Sequence, residues 1–169
     1  MERLGIAFSG GASPAEIVEC VKLAEALGYE SAWVAEGHGG DQFAVLAACA
    51  RETSRIGLGT AITSVFVRTA PTIAMAAATV DDLSGGRFIL GIGSSHKVQV
   101  EAEHGVLYAK PLTRTRETVG VEDVPMARGV PAAPIAVLEQ ARVPAVEVWG
   151  LDDERSAGAK YFMRLAHRR

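Results

Sequence analysis

Four short clusters in this 169-residue chain are rich in glycine, hydroxyl or imidazole side chains: Ser9-Gly10-Gly11, Glu36-Gly37-His38, Thr60-Ala61-Ile62-Thr63-Ser64 and Gly91-Ile92-Gly93-Ser94-Ser95-His96-Lys97. Glycine lets a flat ring come close to a backbone, and hydroxyls and amides donate hydrogen bonds to the ring's polar edge. Four such clusters suit the binding of a planar, hydrogen-bonding small molecule. Ordinary strand-to-helix turns also favour Gly and Ser, so composition alone leaves both readings open. Gly91-Ile92-Gly93 does not begin a dinucleotide fingerprint. His96 stands where GxGxxG requires its third glycine, and the run follows a fourth strand rather than a first.

Each cluster lies at the carboxyl end of a run that reads as a strand. Leu4–Phe8, Ala32–Ala35, Ile56–Ile62 and Arg87–Gly93 are short and nearly continuous in apolar residues, as strands covered on both faces are. Helical patterns separate them. Ser13-Pro14-Ala15-Glu16 supplies an N-cap, a proline at the first helical position and a capping-box glutamate. The helix that follows carries Ile17, Val21, Ala24 and Leu27 on one face and stops at Gly28. Asp41 caps a second helix that buries Phe43, Leu46, Ala47 and Ala50, and Thr69-Ala70-Pro71 opens a third that ends at Ser84-Gly85-Gly86. Strands alternating with helices, and no two-residue hairpin turns between them, predict an α/β protein with a parallel sheet. A TIM-type barrel and an open doubly wound sheet both fit this periodicity. In either, a ligand lies at the carboxyl ends of the strands, where the four clusters fall.

Bulk properties narrow the function classes. The chain is 49% hydrophobic and 22% charged, enough for one globular domain with a core. The longest apolar run, 70–80, is too short to span a membrane. A net charge of −3 and the lack of a basic stripe interleaved with aromatics argue against nucleic acid as a partner. Cys20 and Cys49 stand apart on helical patterns without CxxC spacing, which predicts two buried thiols. With no leader pattern at Met1-Glu2-Arg3, a cytoplasmic protein is expected.

Three stretches, Leu23-Ala24-Glu25-Ala26-Leu27-Gly28-Tyr29, Arg55-Ile56-Gly57-Leu58-Gly59-Thr60 and Ala77-Ala78-Thr79-Val80-Asp81-Asp82-Leu83-Ser84-Gly85-Gly86-Arg87, resemble the bacterial luciferase-like superfamily of flavin- and F420-dependent oxidoreductases. Thr63-Ser64-Val65-Phe66-Val67-Arg68 with Gly91-Ile92-Gly93-Ser94 is most similar to its methylenetetrahydromethanopterin reductase branch. The resemblance runs over 3–119. It implies the N-terminal half of a TIM-type (β/α)8 barrel, with coenzyme F420 or FMN lying across the strand ends and a small-molecule substrate beside it. It implies a non-proline cis peptide at Ala61-Ile62 backing the ring, with Thr60 and Thr63 on either side. It places Gly91, Gly93, Ser94, Ser95 and His96 against the ring or its ribityl chain. By the same resemblance His38 and Glu36 are the catalytic candidates near the ring, His38 as a proton donor or as a locally bonded loop residue, Glu36 as a ring-side acid or a helix-capping one. Arg68 either steers an anionic ligand or pairs with a carboxylate. Hydride transfer with F420 and monooxygenation with FMN are the two chemistries implied, and no residue is expected to hold a metal.

The resemblance fades near residue 120. Residues 1–119 carry 10 basic and 13 acidic side chains; 120–169 carry 7 of each together with four of the seven prolines. Two regions are thus expected: a partial barrel of four β/α units over 1–119, and a Pro/Ala-rich tail over 120–169 with a strand at 143–149 and a helix at 154–166. Four units leave two strand edges unpaired, which would suit pairing of two copies, and lack the loops after strands seven and eight where barrels of this type grip a cofactor phosphate. The expectation is a truncated oxidoreductase, the alternative an inactive remnant or a flavin-binding or assembly module without catalysis.

Overall fold

Each predicted cap closes the helix it was read from. Ser13 Oγ accepts from the backbone N–H of Glu16 while Glu16 Oε2 accepts from that of Ser13 at 2.8 Å, so α1 (Pro14–Ala26) opens with a complete capping box. Asp41 accepts from the N–H groups of Phe43 and Ala44 and starts α2 (Gln42–Glu52). Thr69 caps α3 (Ala70–Ser84), which ends on Gly85 at φ 65°, a left-handed conformation that suits glycine. The computed structural model describes residues 4–37 and 39–119 and the strands 146–151 and 160–165.

Between these helices run β1 (Gly5–Phe8), β2 (Ser31–Val34), β3 (Gly57–Thr60), β4 (Thr63–Ser64) and β5 (Phe88–Gly93). β1, β2, β3 and β5 pair in parallel and in order, with β4 also parallel to β5. The strand expected over 56–62 ends instead at Thr60, and Ala61 and Ile62, whose peptide bond is cis where the resemblance puts one, separate it from the short β4. Ala32, Val34, Leu58, Phe88 and Leu90 are buried under the three helices, against Ile17, Val21, Leu46 and Val80. At the foot of the sheet the guanidinium of Arg87 reaches the carbonyls of Ala50, Thr53, Ile56 and Ser84 at 2.7–3.0 Å and closes the ends of α2 and α3.

The opposite face of the sheet is built from small residues. A Cβ at Gly59 would lie 2.5 Å from the ring carbons Cε3 and Cζ3 of Trp33, and one at Gly5 would lie 2.7 Å from Ser31 Oγ. The Trp33 indole rests on that glycine and donates to Ser31 Oγ at 2.9 Å. It is half-buried on this face. Cys49 is buried, and burial pushes its thiol up to about 11. Cys20, expected to be buried, is exposed on the outer side of α1.

Past β5 the chain makes a π-helical turn at Gln99–Glu103 and then α4 (Pro111–Val119). Two further strands follow, β6 (Val146–Leu151) and β7 (Lys160–Leu165). Residues 160–165, expected within a helix over 154–166, form a strand. β7 runs antiparallel to β5, from Ile89 opposite Arg164 to Gly93 opposite Lys160, and β6 pairs with its other side. Tyr161 and Phe162 favour strands, and the outer edge of β5 offers a row of N–H and C=O groups that a strand satisfies and a helix cannot. The β5 edge expected to lie unpaired is thus filled, and β1 and β6 end the sheet. Among the described residues no helix is long and apolar enough to cross a membrane.

Candidate active site at the strand ends

Interruption of the third strand shapes the site. Ala61 N donates to Val34 O at 2.9 Å and Val65 N to Gly93 O at 3.0 Å, so the chain leaves and rejoins the sheet on either side of a half-exposed Ala61-Ile62. Thr60 bridges the gap in the ladder: its hydroxyl donates to Gly91 O and accepts from Gly91 N, both at 2.8 Å. That hydroxyl is buried and fully used between β3 and β5. The Thr63 hydroxyl is also buried, with no hydrogen-bond partner among the described residues.

Glu36, at the exit of β2, grips the segment beyond the gap. Its Oε2 accepts from Ser64 N at 2.8 Å, its Oε1 from Arg68 Nε at 2.5 Å, and its own N–H reaches Ile62 O at 3.4 Å. Arg68 also donates through Nη2 to Asp41 Oδ2 at 2.5 Å and lies 5.1 Å from the centre of the Phe43 ring. Of its two expected roles, pairing with a carboxylate is the one observed, twice over. Burial disfavours the guanidinium's charge, but hydrogen bonds to Asp41 and Glu36 outweigh it and hold Arg68 above its ordinary range. Burial likewise raises Asp41, and the bonds from Arg68 and the amides of Ala44 and Phe43 overcome this and hold it below the usual carboxylate value.

The loop after β5 forms the other side. Ser94 is buried and accepts from Tyr108 Oη at 3.0 Å. Ser95, at φ 59°, donates to Gln99 Oε1 at 3.0 Å, and Gln99 Nε2 donates to Glu36 O at 3.4 Å. His96 is exposed at the mouth. Tyr108 stacks on Phe66 at 4.7 Å, and Arg114 covers the far face of that ring at the same distance while donating to Val65 O. Residue 38, the other catalytic candidate, lies outside the described residues.

Glu36, Ala61, Ile62, Gly91, Gly93, Ser94 and Ser95 thus come together at one end of the sheet, whereas Thr60 and Thr63 turn into the protein. Asp41 was legible only as a helix cap, and its bond to Arg68 is not visible in spacing. Gln99 and Tyr108 belong to no motif, and the π-helical turn that orients Gln99 breaks the ordinary helical register. A Cβ at Gly10 or Gly11, just past the end of β1, would meet nothing within 4 Å, so the loop there is open. Half-exposed backbone at Ala61-Ile62 and open glycines just past β1 suit a planar ring.

Parallel strands alternating with helices, with polar loops gathered at their carboxyl ends, define a class of α/β scaffolds that bind ligands at that end. Within that class the chain belongs to the luciferase-like monooxygenase family, whose pattern it matches over residues 3–122. It is 40% identical over 118 residues to a Mycobacterium tuberculosis protein provisionally named a coenzyme F420-dependent oxidoreductase, covering 70% of this chain and 34% of that one. The coenzyme F420-dependent tetrahydromethanopterin reductase of Methanopyrus kandleri superposes with a TM-score of 0.62 at 28% identity, over 70% of this chain and 38% of that one. The oxygenating constituent of 3,6-diketocamphane monooxygenase from Pseudomonas putida, solved with FMN, shares the fold at 18% identity and a TM-score of 0.63, covering 70% of this chain and 38% of its own. The chain spans about a third of the length of the curated relative.

Proposed function

We propose that the strand ends form the ring-side wall of a deazaflavin site and that the protein belongs to hydride-transferring, F420-dependent chemistry on a small-molecule substrate. The observation that carries this reading is the gap in the third strand, which leaves Ala61 and Ile62 half-exposed at the same end of the sheet as the open glycines Gly10 and Gly11 that follow β1. The names of the relatives at 40% and 28% identity support F420 over FMN. A bound deazaflavin supplies a hydride carrier, where a reduced flavin would also react with oxygen.

This chain's own residues bind and orient. The backbone at Ala61-Ile62 would back the ring, with Gly91 and Gly93 at the end of β5 and Ser94 and Ser95 just beyond it as its further neighbours. His96, exposed in the loop after β5, is an imidazole available for proton traffic there.

Titration of the purified protein with F420 and, separately, with FMN, followed by absorbance and fluorescence, tests the proposal. Saturable F420 binding tighter than FMN binding is expected. Binding to neither overturns it. Tight binding with no reductant-dependent turnover of any substrate would mark a ring-binding module instead of an enzyme.

A further inference from the structure

Glu36 joins three separate loops at the mouth of the sheet. From the exit of β2 it holds the segment beyond the strand gap through Ile62 O, Ser64 N and Arg68 Nε. Its carbonyl oxygen takes Gln99 Nε2, and Gln99 Oε1 takes the Ser95 hydroxyl, so the loop after β5 is tied to the same residue. The carboxylate side chain is 14% exposed, and both oxygens already accept hydrogen bonds, one of them from a guanidinium that is itself fixed by Asp41. A group bound this way is poorly placed to shuttle protons and well placed to set distances. We infer that Glu36 is a positioning residue: it fixes the spacing between the Ala61-Ile62 wall and the Ser94-Ser95 loop, and so the width of the cleft.

The ligand that fills the cleft rests on the proposed function; the clamp itself does not. The experiment therefore reads both. Amide hydrogen exchange resolved at Ser64 and Ser95, melting temperature, and F420 affinity are measured for the wild-type chain and for Glu36→Gln, Gln99→Leu and Glu25→Gln. Glu25 is the control because its carboxylate also binds backbone amides, those of Ser54, Arg55 and Ile56, but at the opposite end of β3. Glu36→Gln keeps an acceptor for Ser64 and loses the charged bond to Arg68. It is expected to speed exchange at Ser64 roughly tenfold and to weaken F420 binding by a similar factor. Gln99→Leu is expected to speed exchange at Ser95 and leave Ser64 as in the wild type. Glu25→Gln is expected to lower the melting temperature without moving Ser64 exchange or affinity. Unchanged exchange at Ser64 in Glu36→Gln overturns the inference, as does a change that Glu25→Gln reproduces. A wild-type chain that binds neither F420 nor FMN refutes the ring-site reading, while the exchange rates still decide the clamp.

Discussion

Two carboxylates hold this protein's third strand at its two ends, and they do different work. Glu25, on α1, collects the backbone N–H groups of Ser54, Arg55 and Ile56 at 2.7–3.1 Å where β3 begins. Partial burial opposes its charge, but the amides of Ile56, Arg55 and Ser54 and the nearby Arg55 overcome this and depress it from 4.5 to about 2. The folded state therefore binds this proton less tightly than the unfolded chain. The resulting stability is full above about pH 4.5 and is lost as the pH falls toward 2. Because the group is partly open to solvent, the contribution is about 1–2 kcal/mol rather than the full linkage value. Glu25→Gln is expected to lower stability by that amount at pH 7, and the gap between it and the wild type should close between pH 4.5 and 2 in urea melts. The charge pattern of the sequence carried no hint of this grip, since Glu25 and its partners are about 30 positions apart and meet only once α1 has folded back on β3. The same is true of Glu36 with Arg68, 32 positions apart. Sequence spacing located each of these residues at a strand or helix end but could not say which would pair.

Local chemistry made the first three helices legible, because the capping groups of Ser13, Asp41, Thr69 and Gly85 act within a turn of where they stand. The division of the third strand was legible only through family resemblance; Ile56–Ile62 reads as one continuous apolar run, and around the break Ala61 bonds Val34 of β2 while the Thr60 hydroxyl bonds Gly91 of β5. The strand at Lys160–Leu165 was misread as a helix because Tyr161, Phe162 and Leu165 fit a helical face equally well. What decides for a strand is the free edge of β5, a tertiary demand that no local pattern contains. A substitution that breaks β7 alone should reveal that edge. Phe162→Pro removes a backbone N–H in the strand that lies between β5 and β6, opposite Gly91. It is expected to raise self-association with concentration above that of the wild type, as light scattering would report. Scattering indistinguishable from wild type would mean that β7 does not protect the edge.

At the scale of the whole molecule, three layers serve one end of one sheet. Helices α1 to α3 bury the outer face of the parallel strands, Trp33 packs on the glycines of the inner face, and the loops after β2, β4 and β5 converge at the top. The fold class and the location of the site follow from the alternation of strands and helices. The width and polarity of the site follow from contacts made through Glu36, Gln99 and Tyr108. The central claim is that a deazaflavin ring lies against the Ala61-Ile62 wall. Backbone amide chemical shifts recorded while F420 is added to the isotopically labelled chain test it most directly. Saturating shifts are expected at 36–37, 61–64 and 91–95, with the foot of the sheet around Glu25 and Arg87 unmoved. Shifts centred elsewhere, or none at saturating F420, would contradict it.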